Sequence, residues 1–292
     1  MLPTLERLLP LGWRQPLEGR HYDSGPFAGL APVTIVTGGS EGIGLALASR
    51  FAAAGHDLLL IARGEAGLAQ AATKILAQHR VTVTTLALDI TSTDAPQMID
   101  RKLSEMGGYA HILVNNAGIG LSGPFLDHTR GDLTAMMDLN MRALTRLMHH
   151  VLPGMRSRGR GGILNVASLG AYAPGPWQAA YYASKAYLLS LSEAVAYEVE
   201  PDGVRITVVA PGPVETGFHR RMLAESAFYR RLLPPLWPET VASWAYWGFK
   251  LGLRVIVPGV INMVLALVLR ILPHRIVMPV VGWLLRRREK DV

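Results

Sequence analysis

The chain has 292 residues, 50% of them apolar and only 17% charged, with a mean hydropathy of +0.24. That composition excludes a disordered protein, and the lack of cysteine excludes a disulfide framework, a thiolate nucleophile and a cysteine-bound zinc or iron–sulfur centre. The net charge of +7 arises from 29 basic and 22 acidic residues, with arginine far outnumbering lysine. The arginines are scattered and no zinc-finger, homeodomain or RNA-binding signature accompanies them, so no nucleic-acid partner is expected.

Residues 1–31, with several prolines and glycines, read as an N-terminal extension. They show no basic start followed by a long apolar run, so no secretory signal is expected. The pattern changes at residue 33. Val33-Thr34-Ile35-Val36-Thr37 is short, β-branched and bounded by Pro32 and Gly38, the signature of a buried strand. A helix follows over 42–54, closed by Gly55. The alternation then repeats, predicting strands over 57–62, 81–88, 111–115, 161–167 and 204–210. Helices are predicted near 65–79, 94–106, 127–156 and 179–200. Strands alternating with helices of this length demand right-handed crossovers and a parallel sheet covered on both faces. The expected architecture is a single doubly wound, Rossmann-like α/β domain over 32–258, with a helical extension over 259–292.

The turn after the first strand, Thr37-Gly38-Gly39-Ser40-Glu41-Gly42-Ile43-Gly44, joins that strand to its helix. Small residues there admit a pyrophosphate close to the backbone, and the helix N-terminus offers N–H groups and positive dipole to it. The spacing is not G-x-G-x-x-G, and no lysine follows the last glycine, which disfavours a P-loop. At the end of the second strand an acidic residue would favour NAD(H), whereas arginine accommodates a 2′-phosphate. Here the run is Leu60-Ile61-Ala62-Arg63-Gly64. NADP(H) is therefore preferred to NAD(H), with Ser40 as a second phosphate partner and Glu41 as an opposing charge.

Tyr181-Tyr182-Ala183-Ser184-Lys185 lies at the start of a predicted helix, and positions four apart share one face. A phenol needs a neighbouring cation to act in proton transfer near neutral pH, and Lys185 supplies one at that spacing. Ser168 ends the fifth strand, at the sheet edge where α/β folds place ligands. With these elements the sequence resembles the short-chain dehydrogenase/reductase family over about residues 32–258. The matching positions are Thr37-Gly38-x-x-x-Gly42-x-Gly44, Asp89, Asn115-Asn116-Ala117-Gly118, Asn140, Ser168, Tyr181-x-x-x-Lys185 and Pro211-Gly212.

The resemblance implies a catalytic set of Ser168, Tyr181, Lys185 and Asn140. Tyr181 would exchange a proton with the substrate oxygen, Lys185 would lower the phenol pKa and bind the nicotinamide ribose, and Ser168 would orient the substrate. Asn140 would hold a water in a proton relay. Asp89 and Ile90 would lie at the adenine, Asn115, Asn116, Ala117 and Gly118 along the cofactor, and Pro211, Gly212, Val214 and Thr216 over the nicotinamide. No metal is implied, and a homodimer or homotetramer in the cytoplasm is expected.

Residues 213–238 suit an apolar lid. Beyond them, Arg254 and Arg270 flank 15 uncharged residues, too few for a simple span, and a second apolar stretch ends in Arg286-Arg287-Arg288. On a helix Asn262, Ala266 and Arg270 form one narrow stripe in an otherwise apolar surface. Two readings of this tail stay open, an in-plane contact with anionic lipid and protein packing across a dimer interface or over the pocket. The sequence thus points to an NADP(H)-dependent oxidoreductase of an apolar alcohol or ketone, such as a 3-oxoacyl chain, a steroid-like ketone or a long-chain carbonyl. The alternatives are an NAD-dependent dehydrogenase of a small polar alcohol or hydroxy acid, and a cofactor-binding scaffold that docks on a membrane or partner.

Overall fold

The computed structural model describes residues 27–218, 222 and 234–286. Most of residues 1–31, much of the 213–238 lid reading, and Arg287 and Arg288 lie outside the described residues. The elements in chain order are β1 (Ala31–Thr37), α1 (Gly42–Ala52), β2 (Asp57–Ala62), α2 (Glu65–Leu76), β3 (Val83–Ala87), α3 (Ala95–Glu105) and β4 (Gly108–Asn115). Then come α4 (Arg130–Met137), a π-helical turn (Asp138–Ala143), α5 (Leu144–Ser157), β5 (Gly161–Val166), α6 (Ala179–Val199) and β6 (Val204–Val209). The described chain closes with α7 (Pro238–Lys250), β7 (Val255–Ile256), α8 (Val260–Ile271) and α9 (His274–Leu285).

All seven strands are parallel, in the order β3-β2-β1-β4-β5-β6-β7. The chain enters in the middle, winds outward to β3, then crosses to β4 and winds the other way. This is the doubly wound, Rossmann-like fold expected from the alternation. The reversal leaves a crevice beyond the carboxyl ends of β1 and β4, the place where such sheets bind ligands.

The central strands are buried on both faces, which is why apolar residues occupy successive positions in them rather than alternate ones, with Thr34, Asn165, Arg205 and Thr207 as buried polar exceptions. One face packs against Leu47 and Phe51 of α1, Leu68 and Ile75 of α2, and Tyr246 and Phe249 of α7. The other packs against Ile99 and Leu103 of α3, Leu144 and Leu147 of α5, and Leu188 of α6. Each layer is a helix stripe closing on a sheet face, so the two cores hold the strand ends rigidly at the crevice.

Three elements depart from the sequence reading, the first being α7 (Pro238–Lys250), which no predicted helix covers. The helix predicted over 127–156 starts instead at Arg130, because Thr129 caps it reciprocally with Asp132, and a wider π-helical turn interrupts it at Asp138–Ala143. The strand β7 is only two residues long and pairs with β6 through Val208 and Val209, too short for any periodicity to reveal.

Candidate active site

The turn between β1 and α1 forms one wall of the crevice. Gly38 and Gly42 have φ of +63° and +55°, a region that side chains resist, and Gly44 packs directly on the Gly38 carbonyl. A Cβ on Gly38 would stand 2.8 Å from Asn116 Nδ2. The glycines therefore make a close-packed cradle at a helix N-terminus, which fits a pyrophosphate. Gly38, Ser40, Glu41, Gly42 and Ile43 line the cavity at this turn, facing Asn116, Ala117, Gly118, Pro211, Gly212, Val214 and Thr216. A connected cavity along β2 and β3 is lined by Ser40, Arg63, Asp89, Ile90 and Thr91.

Thr37 and Gly44 brace this wall from behind. The Thr37 hydroxyl donates to the Val114 carbonyl (3.2 Å) and accepts from the backbone N–H groups of Asn116 (3.0 Å) and Ala117 (3.1 Å). The Asn116 side-chain amide donates to the carbonyls of Thr37 and Gly38, both at 3.0 Å. The loops after β1 and β4 are thereby fixed to each other. Asn115 points elsewhere: its amide donates to Asn165 Oδ1 (3.0 Å), whose own amide donates to the Ser192 hydroxyl (2.7 Å), a fully buried tie between sheet and α6. Asp89 accepts from the Thr91 backbone (2.9 Å) and hydroxyl (2.8 Å), and these bonds hold its carboxyl below the usual range.

Ser168, Tyr181 and Lys185 meet where β5 ends and α6 begins. Ser168 follows the strand in extended backbone, and its hydroxyl accepts from the Gly170 N–H at 3.1 Å. Burial pushes the Tyr181 phenol up to about 12, opposed by a hydrogen bond with Ser168. The same burial pushes the Lys185 ammonium down to about 8. Lys185 Nζ donates to the Val166 carbonyl at 2.9 Å and lies 5.8 Å from the Tyr181 ring centroid. A phenol and an ammonium are thus held together in a dry site, each driven toward its neutral form.

Asn140 sits in the π-helical turn, fully buried. Its amide oxygen accepts from the Ile119 N–H (2.9 Å), and its NH₂ donates to the Ile119 carbonyl (2.8 Å) and the Ser184 hydroxyl (3.1 Å). It fixes the loop after β4 against α6. Gly118 lies between, where a Cβ would stand 3.2 Å from Asn140 Oδ1 and 3.6 Å from Lys185 Nζ.

Beyond Tyr181 opens a second, apolar cavity, of the kind the lid and tail readings expected. Leu169, Ala173, Phe218 and Met222 form its inner wall, and α8 and α9 close it with Leu265, Leu269, Val277 and Val281 among others. Its polar atoms come from few side chains, chiefly Tyr181, Tyr182 and Gln178. The Gln178 amide is buried with its Nε2 unpartnered among the described residues. The outer wall is pinned to the loop before α6: Trp177, a non-glycine residue at φ +68°, donates its indole N–H to the Gly282 carbonyl at 2.9 Å. Of the tail readings, packing over the pocket is the one seen here, whereas the Gln178 orphan had no local signal, since it is made by contacts distant in sequence.

A family model described as short chain dehydrogenase matches residues 32–226. Over 233 residues the chain is 34% identical to sulfoacetaldehyde reductase 2 of Chromohalobacter salexigens, covering 77% of this chain and 91% of that protein. It is 36% identical over 191 residues to a very-long-chain 3-oxoacyl-CoA reductase of Pyrenophora tritici-repentis, covering 64% of this chain and 56% of that protein. A short-chain dehydrogenase from Sphingobium yanoikuyae, solved with NADPH, superposes with a TM-score of 0.72 at 32% identity, over 78% of this chain and 88% of that one. The 3-ketoacyl-(acyl-carrier-protein) reductase of Brucella melitensis, solved with NADH, gives a TM-score of 0.70 at 25% identity, over 78% and 96%. The chain belongs to the short-chain dehydrogenase/reductase family. It is an oxidoreductase fold of the kind that uses a nicotinamide cofactor on carbonyl or alcohol substrates.

Proposed function

We propose that the protein reduces an apolar ketone with NADPH, and that a 3-oxoacyl chain is the substrate class that suits it best. The observation carrying this reading is the apolar cavity that opens at Tyr181, between the catalytic side chains and the tail helices. A greasy chain gains about 25 cal/mol for each Å² buried there, whereas a small charged aldehyde would lose its hydration without a partner. The relative named for sulfoacetaldehyde therefore gives a less suitable guide to substrate than the relative named for 3-oxoacyl-CoA. Gln178 refines the class. Its unpartnered amide suits a second substrate oxygen, which a 3-oxoacyl chain carries and a simple ketone lacks.

The cofactor would lie along Gly38–Gly44, Asn116–Gly118 and Pro211–Thr216, with Arg63 and Ser40 toward a 2′-phosphate. Bound NADPH supplies the hydride. Tyr181 then has one task, to give its phenolic proton to the carbonyl oxygen as charge builds there. Ser168, in contact with Tyr181, donates to that same oxygen and sets its distance from the phenol. Lys185 eases the phenolate left behind, and it spends one of its protons on Val166, which fixes its position. Asn140 acts through the backbone at Ile119, keeping Gly118 and the loop after β4 in place.

The test uses purified protein, with NADPH and NADH titrated separately by nicotinamide fluorescence and then 3-oxoacyl thioesters of increasing length. The expected result is tighter NADPH binding, with kcat/KM rising with chain length. Tighter NADH binding would overturn the cofactor reading. Faster turnover of small polar aldehydes would overturn the substrate reading.

A further inference from the structure

In a helix packed on a water-soluble protein the apolar face turns inward and the polar face outward. Helix α8 is the reverse. Its polar residue Asn262 is 6% exposed and donates to the Pro258 carbonyl at 2.8 Å, and Ala266, one turn on, is 5% exposed. On the outside stand Val260 at 71%, Ile261 at 62% and Ile271 at 69% exposed, with Val264 and Leu267 between them. Helix α9 continues this surface with Ile276, Val280 and Trp283 exposed. Helix α9 buries Val277, Val281 and Leu285 in the ordinary way, yet with α8 it leaves a contiguous apolar outer face in water that calls for a cover.

Charge identifies the cover. From residue 240 to residue 288 the sequence has seven basic residues and no acidic one. Arg270, Arg275 and Arg286 stand exposed at the ends of the two helices. A second copy of the same face would bring these cations together, whereas an anionic lipid surface attracts each of them. The helices have 12 residues each, about 18 Å long at 1.5 Å per residue, and among the described residues no helix is long and apolar enough to cross a membrane. They suit lying in the interface, with Trp283 at headgroup depth.

The surface and the apolar cavity share residues. Val268, Leu272, Ile276 and Val280 line the cavity and are themselves 39–57% exposed. We propose that α8 and α9 seat the protein on an anionic bilayer with the cavity mouth against the lipid, so that an apolar substrate enters from the membrane rather than from water. The entry route rests on the substrate reading above, but the seating does not. The cofactor crevice is lined by other residues and needs no part of this face.

The test is flotation of the full chain with vesicles of phosphatidylcholine alone and with 30% phosphatidylglycerol, at low and high salt. Binding to the anionic vesicles only, weakened by salt, is expected. Val264→Glu/Leu267→Glu should abolish it, and Arg270→Gln/Arg275→Gln should weaken partition about 25-fold, from about a fivefold share per basic residue. NADPH binding by fluorescence, unchanged in both variants, shows that they are folded. No vesicle binding by the wild-type chain overturns the seating, as does a dimer in light scattering that the Glu pair splits while vesicle binding is absent. Vesicle binding without faster turnover of a vesicle-loaded 3-oxoacyl ester overturns the entry route alone. A chain that binds vesicles yet reduces no ketone keeps the seating and overturns the proposed activity instead.

Discussion

Helices α1 and α8 are both about a dozen residues long and both rich in aliphatic side chains, yet they bury opposite faces. Helix α1 turns Leu47 and Phe51 onto the sheet and leaves Arg50 partly exposed beside the rings of Tyr246 and Trp247. Helix α8 turns Asn262 and Ala266 inward and Leu265 and Leu269 toward the cavity, while Val260, Ile261, Val264, Leu267 and Ile271 face outward. The first is stabilised by removing apolar area from water. The second gains little of that kind, and its place is set by the wall it gives the cavity and by the Asn262 side chain lodged against Gly212, where any Cβ would stand 2.5 Å from Asn262 Oδ1. One region is a core, the other an exposed apolar surface, the one proposed above to meet lipid.

That contrast can be broken at graded cost. Tyr181→Phe keeps the ring and removes the proton, so steady-state kinetics should show turnover down by about 10²–10⁴ while NADPH fluorescence titration is unchanged. Gly44→Ala in the cradle forces a methyl onto the Gly38 carbonyl, and urea unfolding should register a loss of about 1–3 kcal/mol together with weakened cofactor binding. Arg63→Ala should lower affinity for NADPH by about 10–100-fold and leave NADH nearly unaffected, as a hydrogen-bonded charge contact of about 1.5–3 kcal/mol implies.

The pH dependence separates activity from stability by sign. Lys185 loses its proton near 8 in the folded chain, so the rate of reduction should fall as pH rises through 8, and this fall should vanish in Lys185→Met. Unfolded lysine keeps its proton to about 10.4, so the unfolded state binds more protons above pH 8 and Lys185 makes stability rise with pH there. Tyr181, which holds its proton to about 12 folded and about 10 unfolded, reverses the trend above pH 10. Smallest of all, Leu267→Gln on the outer face of α8 should change thermal stability within about 0.5 kcal/mol, whereas Leu47→Ala in α1 should cost about 2–5 kcal/mol.

What was legible in the sequence follows the same divide. The strands from β1 to β6 announce themselves because they are short runs rich in aliphatic and β-branched residues between turn residues, and Tyr181 with Lys185 is visible because a helix brings positions four apart together. Strand β7 was hidden by its length. The break at Asp138–Ala143 was hidden because a π-helical turn keeps a nearly helical apolar pattern. Thr37 was placed at the cofactor by its motif, yet its hydroxyl is spent on three backbone groups behind the wall, a difference of one side-chain direction that spacing does not encode. The apolar run after residue 259 was plain, but that it closes the cavity beyond Tyr181 depends on contacts about 100 residues apart in sequence, such as Trp177 with Gly282.

That last contact carries a thermodynamic consequence. Trp177 is held in a left-handed conformation that costs about 1–3 kcal/mol, and the hydrogen bond to α9 is among the interactions that offset it. The loop leading into α6 and the tail are therefore two parts of one equilibrium. Under the proposed seating, reciprocity governs them: whatever factor a bilayer adds to the affinity for substrate by steadying α9, bound substrate must add to the affinity for the bilayer.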